Sequence, residues 1–271
     1  MGINVEQAID GMRMKVIIFA GGLGTRLGQL VETVPKPMVP IGGKPILWHI
    51  MKIYDHYGFN EFIICLGTKA EVIRSYFHQY NVINNDCTID LSSGNIHYHR
   101  SHDESKWKVT LVDTGQDTLK GGRLKKVERY LASEINMLTY GDGLADIDLR
   151  KLLEFHIQHG KMVTITGACP PSRFGELDEE DGHARSFKEK PQSSKGLING
   201  GFMVFNKSML GYLTERDDCD FEVGALETLA RASQVMVYKH EGTWECMDHE
   251  RDVTYLNRLW RENKAFWKIW E

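Results

Sequence analysis

The chain has 271 residues, enough to bury a sizeable core, and its 42% hydrophobic and 26% charged residues exclude both a disordered and a membrane-embedded class. A formal net charge of −4 argues against a general polyanion binder, so no nucleic-acid partner is expected. The five cysteines (Cys65, Cys87, Cys169, Cys219 and Cys246) are scattered and form no C-x-x-C pair, which argues against a zinc cluster or a disulfide framework and for a reducing, cytoplasmic setting. No apolar run approaches the roughly 18 residues of a membrane span, so no membrane partner is expected. The opening "MGINVEQAIDGMR" carries neither the apolar stretch of a secretory signal nor a myristoylation signal. It reads as an N-terminal extension, residues 1–13, ahead of one domain over 14–271.

In chain order, "KVIIFA" (15–20) is apolar on both faces and stops at glycine, the pattern of a buried parallel strand. "ILWHIMKIYDHY" (46–57) has helical spacing and a C-capping Gly58. "EFIICL" (61–66) is a second buried strand, and Thr68 with Glu71 has capping-box spacing before the next helix. Strands are expected at 108–113, 135–140 and 162–168, and helices at 122–131 and 149–160. This alternation describes an α/β fold with a mainly parallel sheet and helices on both faces. Beyond residue 170, "ARSFKEKP" and "LINGGFMVFN" read as strands with no helix between them, so antiparallel additions are expected in the C-terminal third. "FEVGALETLARAS" then returns to a helix and "QVMVYKH" to a strand. Ligands of such a sheet sit at the carboxyl ends of its parallel strands.

The first strand ends in "AGGLGTRLG". The dinucleotide fingerprint fails there, because Leu27 stands where the third glycine belongs. The Walker loop fails as well, for want of G-K-[ST]. What remains is Gly21, Gly22, Leu23, Gly24, Thr25 and Arg26, followed by "PKPM" at 35–38. Glycines let backbone N–H groups wrap a phosphate chain. Arg26 and Lys36 add charge, and Pro35 and Pro37 stiffen the backbone around the lysine. Asp142, in "LTYGDGLADID", falls just past a buried strand between two glycines, where a hard cation such as Mg²⁺ could take a carboxylate together with substrate phosphates. Asp146 and Asp148 read instead as caps of the following helix.

"AGGLGTRL" with "PKPM" resembles the signature of the sugar-1-phosphate nucleotidyltransferases. The likeness is nearest to the glucose-1-phosphate cytidylyltransferase branch, and runs from about Met14 through "VTLVDTG", "GGRLKKV", "LTYGDGLADID", "FGEL", "EKP", "INGGFMVF" and "WECMD". It implies a Rossmann-like, GT-A-like fold and transfer of a cytidylyl group from CTP to a sugar 1-phosphate, glucose 1-phosphate foremost. Another NTP, another phosphorylated acceptor, and a metal-dependent glycosyltransferase stay open as alternatives, as does a nucleotide-binding protein without turnover. The resemblance implies that the glycine loop holds the triphosphate while Arg26 and Lys36 stabilise leaving pyrophosphate. It implies Asp142 and Asp248 as Mg²⁺ ligands. Glu189, Lys190, Asn199 and Gly175 would bind the sugar phosphate, and Thr114, Gly115 and Arg123 would border the nucleotide.

The chain departs from the branch around Asp248, where Glu245, Cys246 and His249 replace the usual glutamine, proline and threonine. Val34 stands where the branch often has a further lysine. The aromatic tail, with Trp260, Phe266, Trp267 and Trp270, suits packing on the domain or a subunit interface, and the resemblance implies a homo-oligomer.

Overall fold

A computed structural model describes residues 13–99, 102–170, 176–188 and 196–271. Its sheet is built on short runs of β-branched and aliphatic residues: β1 (Val16–Phe19), β2 (Glu61–Leu66), β3 (Lys108–Asp113) and β4 (Ile135–Tyr140). These four lie parallel in the order β4-β1-β2-β3. Their side chains alternate between two packed faces, as a period of two requires. Val16 and Ile18 face one apolar layer with Phe62 and Ile64, and Ile17 and Phe19 face the other with Ile63 and Cys65. Helices α1 (Ile46–His56) and α2 (Ala70–His78) lie on the first face, and α3 (Lys120–Lys126) on the second. Helix α4 (Leu149–His159) joins the first face through Leu149, Leu152 and Leu153.

Further strands include β5 (Gly143–Ala145), β6 (Val163–Ala168), β7 (Ile198–Asn199), β8 (Met203–Asn206), β9 (Val235–His240) and β10 (Trp244–Cys246). The expected antiparallel additions are present: β8 lies inside the sheet, β7 pairs with β6 at its edge, and a separate hairpin joins Glu176–Glu180 to His183–Lys188. β8 runs antiparallel between β4 and β6, so β6 never touches the strand before it in the alternation. β9 then pairs parallel with β6. Helix α5 (Glu250–Arg261) and the tail close the first face, with Leu256 and Trp267 fully buried. Trp260, Phe266 and Trp270 pack against the same layer, so the aromatic tail is seated on its own chain.

Three local expectations are corrected. Thr68 does not cap α2: Lys69 holds the N-cap with φ 55, and the Thr68 hydroxyl is buried without a partner. The helix expected over 122–131 starts earlier and stops at Lys126, followed by a tight turn at Glu128–Tyr130. Asp148 does cap α4, accepting from the amides of Arg150 and Lys151, whereas Asp146 accepts instead from Thr243 N at 2.8 Å and lies 3.0 Å from His240.

Candidate active site

The glycine loop leaves β1 at the carboxyl end of the parallel strands. Gly24 sits at φ 65, where a Cβ would come within 2.9 Å of Lys36 Cβ, so this position demands glycine on both counts. At Gly21 the demand is packing, because a Cβ there would lie 2.2 Å from the Arg123 guanidinium. A Cβ on Gly22 would meet only open space. That space is a cavity of about 420 Å³, lined by Gly21, Gly22, Gly24, Thr25, Arg26, Lys36, Arg123, Asp142 and Asp248 among others.

At its centre stands Lys36. Pro35 is extended, the turn Lys36–Met38 begins at the lysine, and Pro37 and Met38 are buried, which aims the side chain at the strand ends. Its Nζ donates to Asp142 Oδ2 at 2.6 Å and to Asp248 Oδ1 at 2.7 Å. Arg26, 68% exposed, reaches the other oxygen of Asp248 at 2.9 Å. Burial works against the Lys36 charge, but the Asp142 carboxylate and the hydrogen bonds of both aspartates outweigh it and raise its pKa above the ordinary lysine value. Burial likewise opposes the Asp248 charge, and the Lys36 hydrogen bond and charge, with Arg26, carry that carboxyl below its usual range.

Asp142 and Asp248 are 106 residues apart and meet through a two-stranded ribbon. β10 pairs antiparallel with β5 in the register Trp244 to Ala145 and Cys246 to Gly143, and Met247 N donates to Asp142 O at 2.9 Å. Asp252 then accepts from the amides of Asp248 and His249 at 2.9 and 2.8 Å, fixing the turn that carries Asp248. His249 stands at the N-cap of α5 and turns to Asp252, 3.5 Å away. Val34 packs against the core.

Two carboxylates converging on one cationic position are what a hard divalent ion needs, and the Lys36 ammonium already shows that position to be cation-seeking. The residues therefore fit Mg²⁺. The Cys246 thiol joins them: its sulfur and one oxygen of each aspartate all lie within 4.8 Å of one another. Burial, then the Asp142 charge, pushes this thiol up, so it is protonated beside the carboxylates.

Arg123 does not project freely into the cavity. Its guanidinium donates to the carbonyls of Gly21, Leu66, Gly115 and Gln116, and to Thr114 Oγ1, at 2.7–3.1 Å. It thus ties the glycine loop to the ends of β2 and β3. Thr114 is buried and Gly115 adopts φ 94 in the same knot. Leu23 is exposed. Asn199 is held by its Nδ2 on Tyr140 Oη at 2.9 Å and by Gly201 N on its Oδ1 at 3.0 Å. Gly175, Glu189 and Lys190 lie outside the described residues.

Sequence reasoning missed Tyr140, Glu222 and Lys120. The Tyr140 hydroxyl donates to Glu222 at 2.8 Å, Lys120 pairs with the same carboxylate, and its ammonium lies 5.0 Å from the Tyr140 ring centre. Tyr140 and Lys120 both line the cavity. Tyr140 closes β4 two residues before Asp142, so its nearness to the strand end was a signal that was present. Glu222 arrives on a distant helical segment, and no local pattern announces it.

A family model described as "Nucleotidyl transferase" matches residues 15–266. The chain is 48% identical over 259 residues to glucose-1-phosphate cytidylyltransferase of Salmonella typhi, covering 95% of this chain and all of that protein. It is 43% identical over 257 residues to a Bacillus subtilis protein named "Probable glucose-1-phosphate cytidylyltransferase", with the same coverage. Among solved structures, HddC from Yersinia pseudotuberculosis complexed with GMP-PN superposes with a TM-score of 0.65 at 24% identity, over 91% of this chain and 99% of that one.

Proposed function

The chain belongs to the nucleotidyl transferase family, and from that premise we propose that it transfers a cytidylyl group from CTP to glucose 1-phosphate, giving CDP-glucose and pyrophosphate. The observation that carries the chemistry is the Lys36 ammonium seated between Asp142 and Asp248 beside an open glycine loop. A phosphate oxygen of the acceptor attacks the α-phosphorus in line, and the bond to the β,γ-pyrophosphate breaks. The attacking phosphate is ionised at neutral pH, so no side chain needs to remove a proton. Catalysis is then positioning and charge stabilisation. The amides of the Gly21–Gly24 loop bind the triphosphate. Arg26 and Lys36 draw charge toward the departing pyrophosphate. Arg123 acts at one remove, holding the loop through Gly21 O. Asp142 and Asp248 would hold Mg²⁺, which when bound neutralises phosphoryl oxygens.

Asn199, with Glu189, Lys190 and Gly175, is assigned to the acceptor. Asp146 accepts from Thr243 N and lies against His240, which supports Asp142 with Asp248, rather than with Asp146, as the metal pair. Five free cysteines support a cytoplasmic setting. Residues 14–271 act as one catalytic unit in this reading, and a homo-oligomer is the proposed assembly. The deciding experiment is pyrophosphate release measured for the four NTPs against several sugar 1-phosphates with Mg²⁺. The largest kcat/KM is expected for CTP with glucose 1-phosphate; no release from any pair would refute the reading.

A further inference from the structure

Resting on the metal reading of Asp142 and Asp248, we propose that Cys246 makes this a three-ligand site that takes a thiophilic divalent cation of the zinc class in the absence of nucleotide. Three donors on two chain segments are gathered there, one oxygen from each aspartate and the Cys246 sulfur, all within 4.8 Å of one another. The β5–β10 pairing sets the cysteine directly across from Gly143, the residue after Asp142, so its placement follows from sheet register. Three protein ligands and an open fourth position are the arrangement of an open zinc site, and thiolate is the ligand that selects against magnesium.

The charges agree with this. Lys36 already bridges the two carboxylates. A divalent cation and the ammonium together balance two carboxylates and a thiolate. On binding, one metal–sulfur bond forms, the S–H bond breaks and its proton passes to solvent; no electron changes hands. Magnesium gains nothing from sulfur, so it relies on the two carboxylates and the phosphates of a bound nucleotide. The site therefore holds zinc without substrate and magnesium only with it, and zinc bound in this way excludes magnesium from the reaction centre.

The test uses the full chain and metal alone. Titration with Co²⁺ should develop a sulfur-to-cobalt charge-transfer absorption, and Zn²⁺ should displace it. In Cys246→Ser that absorption should vanish and Zn²⁺ binding should weaken by at least the roughly 10–100-fold that loss of an outer-shell partner costs. Mg²⁺ affinity measured with CTP present should be unchanged. Asp248→Asn should weaken both metals, and circular dichroism of each variant confirms that it folds. Cobalt bound without the absorption, an absorption that persists in Cys246→Ser, or equal Zn²⁺ affinity in parent and variant would each overturn the proposal. Neither CTP turnover nor sugar phosphate enters the cobalt and zinc arms, so failure of the cytidylyl-transfer reading would leave their outcome intact.

Discussion

Replacing Lys36 by Gln removes the one cation that separates two carboxylates. The Asp142 and Asp248 ligand oxygens lie within 4.8 Å, where two unit charges repel by about 3.5 kcal/mol at an effective dielectric of about 20. Both side chains are about a quarter exposed, 26% and 22%, and Arg26 still touches Asp248. Solvent and Arg26 therefore reduce the penalty to roughly 1–2 kcal/mol, a fall in Tm of about 2–5 °C for a chain of this size. The repulsion is local, so saturating Mn²⁺ or Mg²⁺ should restore more Tm in Lys36→Gln than in the parent. Pyrophosphate release should drop on the order of 10²–10³-fold, as for loss of one donor to a developing charge. Differential scanning fluorimetry with and without metal reads the first effect, and coupled pyrophosphate detection the second. A variant as stable as the parent, with no larger gain from metal, would refute the electrostatic argument.

Arg123→Lys leaves the buried carbonyls of Gly21 and Leu66 without their guanidinium donor, and each such group costs roughly 1–3 kcal/mol; urea unfolding should show a loss of about 3 kcal/mol, and steady-state kinetics a raised KM for CTP. Tyr140→Phe frees Asn199 from its anchor, so KM for the acceptor should rise about tenfold while KM for CTP stays within about twofold. An equal change in both would show Tyr140 to be merely structural. Acidification gives a separate check on the core. Burial lowers His49 and His156 to about 4 from 6.5, so in this range the unfolded chain binds protons that the folded chain refuses. Stability should therefore fall as pH drops from about 7 toward 4, by about 2 kcal/mol per histidine at pH ~5. Denaturant titrations across that range measure the slope, which should be roughly halved in His49→Gln because His156 still titrates; an unchanged slope would refute the assignment to His49.

The core strands were legible from local pattern. β1, β2 and β4 announce themselves because each is apolar on both faces, a pattern set by neighbours one and two residues away. Gly24, Lys36 and Asp142 were expected together because the strand ends could be placed from the sequence, and the structure does bring them to one cavity. The capping reading of Thr68 failed where Lys69 entered α2 through a left-handed backbone, a choice that spacing does not encode. Arg123, which follows Gly121 and Gly122, was expected to border the nucleotide. In the fold it is buried among carbonyls that belong to three separate segments.

The sequence by itself determined the α/β alternation, the glycine-rich turn after β1 and, through the order of its motifs, the family. Only the tertiary structure decided that β8 enters between β4 and β6, that Lys36 bridges carboxylates 106 and 212 residues downstream of it, and that Cys246 completes their cluster. The physical reason is distance along the chain. Hydrophobic periodicity and turn chemistry act over a few residues, whereas the β5–β10 register closes a loop of about a hundred residues, and the packing of the whole sheet must offset the entropy of that closure.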